Sequence, residues 1–86
     1  MEKRIGTITI LMPDRLQAAE VNRLISSHSQ IVLCRQGLPF RERDVAVISL
    51  IVEGCTDEIN ALTGALGRLP GVKCKAVVVP TVQPSN

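Results

Sequence analysis

Val45-Ala46-Val47-Ile48-Ser49-Leu50-Ile51-Val52 decides the fold. The stretch is β-branched and aliphatic and contains neither glycine nor proline, so it reads as a strand. Successive side chains of a strand leave opposite faces, which puts Ala46, Ile48, Leu50 and Val52 on one side and Val45, Val47, Ser49 and Ile51 on the other. Both sets are apolar. An antiparallel sheet with one face in water alternates apolar and polar residues, so two apolar faces predict two covers: helices of the same chain on one, another chain on the other. A C-terminal tail folding back, residues 80–86, is too short and too polar to make that second cover well.

Upstream, Gly37, Pro39 and the polar run Arg41-Glu42-Arg43-Asp44 make a reverse connection to an earlier strand, Ile31 to Leu38. Before it, Asp14 is placed to cap a helix in which Val21, Leu24, Ile25 and His28 recur at i, i+3, i+4 and i+7, with Glu20, Arg23 and Ser27 opposite. Arg4 to Met12 is a first strand, stopped at Pro13, which lacks the N–H that a ladder needs. Downstream, Thr56 reads as the N-cap of a second helix, with Asp57 and Glu58 set against the positive end of its dipole and a stripe of Ile59, Leu62, Leu66 and Leu69. Gly67 and Pro70-Gly71 end it, and Val72 to Val79 is the last strand. Two strand-helix-strand units with right-handed crossovers, joined by a hairpin, predict an α+β ferredoxin-like βαββαβ sandwich: a four-stranded antiparallel sheet with two helices on one face and the first and third strands central. Residues 1–80 are expected to form one domain and 81–86 a polar tail.

Eighty-six residues with 45% apolar and 21% charged residues require a packed core. So short a chain buries only about 60% of its unfolded surface, so self-association would add much to its stability, and a dimer or tetramer is expected. A net charge of +2 is far from the clustered basic surface of a nucleic-acid binder. Phe40 is the sole aromatic, which excludes base stacking. No apolar run approaches the roughly 20 residues that cross a bilayer, and the N-terminal apolar stretch is too short for a signal peptide. Three cysteines at wide spacing, Cys34, Cys55 and Cys74, form no disulfide framework and fit a reducing, cytoplasmic location.

No CxxC occurs, and in the predicted strand order Cys34 and Cys74 lie on opposite edges, both with the parity that faces the helices, as small buried hydrophobes. Cys55 falls in the turn before the second helix, where the helix dipole can lower a thiol pKa. His28 sits at the C-terminal end of the first helix, without a nucleophile beside it. The glycines are scattered singly, so no phosphate loop is present. The expectation is a non-enzyme with no metal and no cofactor. Arg35, Arg41 and Arg43 cluster in the hairpin, and Arg41 and Arg43 share strand parity, which could hold an anion by forked hydrogen bonds; Glu42 and Asp44 stand ready to neutralise them.

The runs Gly37-Leu38-Pro39-Phe40-Arg41-Glu42-Arg43, Val47-Ile48-Ser49-Leu50-Ile51-Val52, Thr56-Asp57-Glu58-Ile59 with Ala61-Leu62-Thr63-Gly64, and Leu66-Gly67-Arg68-Leu69-Pro70-Gly71-Val72-Lys73 resemble the small iron-only hydrogenase system regulators, over Arg4 to about Ala76. The resemblance implies an ACT-like fold, similar to the ligand-sensing domain of the nickel-responsive repressor, in which domains assemble through their sheets. It implies a regulatory or small-ligand-sensing module; the expectation here is a ligand at the subunit boundary, where the turn around Pro13 and Asp14 meets the second strand near Cys34 and Arg35, with Arg41 and Arg43 available to an anion. Val45, Val47, Ser49 and Ile51 would form the oligomer interface. The turn Met12-Pro13-Asp14-Arg15-Leu16 lacks the glycine by which amino-acid-binding ACT domains let the backbone approach the ligand, and one histidine is too few for the nickel sensor's site. The few residues before the first strand leave no room for a DNA-reading element, so any control of transcription would pass through another protein. The alternative expectation is an accessory protein that binds a hydrogenase maturation or other enzyme without a small ligand.

Overall fold

The computed structural model describes residues 2–13, 17–40 and 45–80. Four strands, β1 (Arg4–Met12), β2 (Val32–Phe40), β3 (Val45–Gly54) and β4 (Lys73–Val79), and two helices, α1 (Ala18–Ser27) and α2 (Thr56–Gly67), follow in the order β1-α1-β2-β3-α2-β4. The sheet order is β2-β3-β1-β4 with every neighbouring pair antiparallel, so β1 and β3 are central. This is the ferredoxin-like, ACT-like sandwich.

Period-two alternation builds the core. Ile8, Ile10 and Met12 of β1 stand beside Leu50, Ile48 and Ala46 of β3, and their side chains meet Val21 and Ile25 of α1 and Ile59, Leu62 and Leu66 of α2. Ile8, Ile10, Leu50, Ile59, Leu62 and Leu66 are fully buried. Burying aliphatic side chains of this size contributes about 1.5–3 kcal/mol each, which is what seats two short helices on one side of the sheet.

The helix starts differ from the expected ones for local reasons. α1 begins at Ala18, with Gln17 at the N-cap and its carbonyl accepting from the Val21 N–H at 2.9 Å. That start is later than a cap at Asp14 would give; Asp14 lies outside the described residues. For α2 the cap is Cys55, not Thr56, with Cys55 extended at φ −73, ψ 163. Glu58 Oε1 reaches back to accept from the Cys55 N–H at 2.9 Å, satisfying a donor that the helix start leaves without a partner. These hydrogen bonds from Cys55 hold the Glu58 carboxyl below its ordinary value. A depressed folded-state pKa means that the contribution is present above the unfolded carboxylate pKa and is lost as pH falls through the folded one. Glu58→Gln is therefore expected to lower the melting temperature at neutral pH, with the gap to the unaltered protein closing in acid, as read by circular dichroism melts across that range. A gap that stays constant in acid would contradict the cap.

β2 carries the one departure in register. Val32 pairs with Val52 but Cys34 pairs with Ile51, so an extra residue, Leu33, is accommodated in a bulge. Beyond it every β2 side chain is on the opposite face from a regular count. Cys34 is thus exposed beside Ile51 on the helix-free face, a correction to its expected burial under the helices. Cys74 is where its parity put it, partly buried against the core, with Sγ donating to the Thr63 carbonyl at 3.3 Å; burial pushes its thiol pKa up, as suits a packing residue.

Candidate functional site

Cross-strand partners share a face, so the registers define the helix-free side of the sheet row by row. Glu53, Ile5 and Val79 form the first row; Cys34, Ile51, Thr7 and Val77 the second; Gln36, Ser49, Thr9 and Lys75 the third; Leu38, Val47, Leu11 and Lys73 the fourth; Phe40 and Val45 the last. Val77 is 61% and Leu38 55% exposed. Of the large hydrophobic side chains exposed among the described residues, all but Leu33 lie in these rows. No helix among the described residues covers them.

The face is not uniformly apolar, as β3 alone had suggested. Its middle row is a polar band running edge to edge, Gln36-Ser49-Thr9-Lys75, between two mainly apolar ends, one carrying Glu53 and the other Lys73. One apolar end holds an open hollow of about 170 Å³ lined by Leu11, Phe40, Val45 and Val47. Ser49 marked the band within β3, but its extent depends on strand pairing, which no single segment displays.

The residues expected to hold a ligand are dispersed within one chain. Met12 and Pro39 both lie beside Ala46, whereas Cys34 and Thr7 both lie beside Ile51. Pro13 is therefore about 17–20 Å along the strands from Cys34, at roughly 3.3 Å per residue. Arg35 takes the other face, where Nη2 donates to Asn22 Oδ1 of α1 at 2.6 Å. Asp14, Arg41 and Arg43 lie outside the described residues. Pro13 is exposed and closes β1 at the same end of the sheet as the hollow.

The other chemical candidates are occupied structurally. His28 closes α1, with Nδ1 donating to the Leu24 carbonyl at 2.8 Å and its backbone N–H donating to Leu24 and Ile25. Cys55 is buried at the cap of α2. Among the described residues no group of three or more His, Cys, Asp or Glu side chains could hold a metal ion, and no helix is long and apolar enough to cross a membrane.

Residues 4–76 match the family described as "TM1266-like: Iron-only hydrogenase system regulator, putative". The uncharacterized protein TM1266 from Thermotoga maritima is 40% identical over 91% of this chain and 99% of its own, with a TM-score of 0.85. The chain belongs to the TM1266-like family. Two more distant structures share the fold alone with this TM1266-like protein. A "putative glycine cleavage system transcriptional repressor" is 14% identical, with a TM-score of 0.70 over 100% of this chain and 51% of the other. The C-terminal domain of MgtC from Mycobacterium tuberculosis is 11% identical, with a TM-score of 0.70 over 95% and 94%. No curated protein matches the chain.

Proposed function

We propose that this TM1266-like protein is a non-catalytic regulatory module that senses a small ligand as a homo-oligomer, within the iron-only hydrogenase system that the family's description names. The observation that carries the reading is the sheet face that no helix among the described residues covers, with Ile5, Leu11, Leu38, Phe40, Ile51, Val77 and Val79 exposed on it. So much apolar surface on a small domain favours a second copy of the chain as cover. The three free cysteines suit a cytoplasmic setting.

The ligand, in this reading, sits where the assembled copies leave room at the end of the sheet that holds the hollow and Pro13. Arg41 and Arg43 follow directly on Phe40 in the chain, so an anionic ligand is the class they favour, with Asp14 next to Pro13. Cys34 and Arg35 are too far along the strands to join that site within one chain. A molecule that touches two chains stabilises the assembled state over the separated one, by RT ln(1 + [L]/Kd) when it binds the assembled state alone.

A thermal-shift screen with amino acids, nucleotides and divalent cations, run at two protein concentrations, tests this. One ligand class is expected to raise the midpoint by several degrees, with sedimentation showing more assembled protein in its presence. A flat response to every class contradicts ligand sensing.

A further inference from the structure

From the row pattern of the open face we infer how a second copy docks: two sheets stack face to face about a two-fold axis parallel to the strands, midway between β3 and β1. The inference rests on the proposed self-assembly and adds its register. Buried polar groups set against apolar side chains are costly, so the polar band must lie over the partner's polar band and the apolar ends over apolar ends. Two aligned two-fold arrangements satisfy this, since sheets pack with their strands nearly aligned. In one the axis runs along the strands and β2 lies over the partner's β4. In the other the axis crosses the strands at the polar band, and each strand lies over its own copy.

Charge separates them. On this face β4 carries Lys73 and Lys75, whereas β2 carries Cys34, Gln36, Leu38 and Phe40 and no charge. The crossing axis would gather the lysines of both copies into one strip, β4 on β4. The strand-parallel axis sets each lysine-bearing strand over the uncharged one, with Lys73 over Leu38 at the rim, where its ammonium group reaches water along the side-chain stem. Lys75 of one copy then lies at the rim over Gln36 of the other, whose side-chain carbonyl can accept from the ammonium group. Ser49 meets Thr9, two hydroxyls that can bond each other, and Val47 meets Leu11.

Gln36→Glu gives opposite signs in the two arrangements. Under the strand-parallel axis the new carboxylate faces Lys75 of the other copy, and a two-fold dimer contains the pair twice. The dimer dissociation constant measured by sedimentation at low salt should fall about three- to tenfold, an effect that salt weakens. It should vanish when Lys75→Gln is added. Under the crossing axis the two carboxylates face each other, and the constant should rise. A rise, or a fall that persists with Lys75→Gln, overturns the docking register while leaving self-assembly standing. A bismaleimide in a Cys34→Ser background gives a second readout: Gln36→Cys chains should link to Lys75→Cys chains, and neither to itself. Self-linking of either variant overturns the register; an unaltered protein that stays a single chain at every concentration overturns the self-assembly beneath it.

Discussion

Leu62→Ala is expected to cost about 2–5 kcal/mol of unfolding free energy, out of a total that for a chain of this length is about 4–13 kcal/mol. Leu62 is fully buried on the inward stripe of α2, between Ile59 and Leu66 and against the core of β1 and β3. Truncation removes its transfer free energy and leaves a cavity that rigid strand backbones cannot collapse into. Urea denaturation at fixed protein concentration should show a lower midpoint with an unchanged slope, and Leu62→Met should recover most of the loss. A loss below about 1 kcal/mol would mean that α2 is not seated on the sheet as described.

Val47→Lys is expected to leave the single chain folded and to raise the dissociation constant of the oligomer by about a hundredfold or more. Val47 lies on central strand β3, beside Leu11 and Leu38 on the open face and on the lining of the hollow. A lysine there extends into water in a lone chain, but within a sheet-to-sheet contact its ammonium group would be set among the apolar side chains at one end of the face without a counter-charge, once per copy. About 1.4 kcal/mol of that cost per copy already gives the hundredfold. Size-exclusion chromatography with light scattering reads the mass, and urea denaturation of dilute protein reads the fold. Unchanged assembly would place the interface elsewhere, on an edge strand or on the helices.

Much of the architecture is legible in the chain because its strands and helices obey their own periods. Ala46, Ile48, Leu50 and Val52 alternate with Val45, Val47, Ser49 and Ile51, and the burial of Ile48, Leu50 and Val52 follows that alternation. The stripe of Ile59, Leu62 and Leu66 likewise faces inward. What escapes are features without a period. The bulge at Leu33 adds one residue to an ordinary-looking run, and that residue turns Cys34 and Arg35 onto the faces opposite to those a regular count assigns. The cap at Cys55 was hidden by Thr56, a stronger N-cap type one position on, although Glu58 is the third residue after Cys55 and so in the capping-box position. Which candidate residues of one chain lie together is not legible either, because sequence proximity to a turn is not position along a strand. Pro13 and Cys34 each lie near the end of an element, yet the registers set them at different heights on the sheet.

Sedimentation equilibrium of the unaltered protein, from tens of micromolar downward, weighs the central claim most directly. The uncovered sheet face requires a mass that is a multiple of the single chain at the upper concentrations, falling toward the monomer only on dilution. A monomer mass throughout that range, from protein that is folded by circular dichroism, would contradict it.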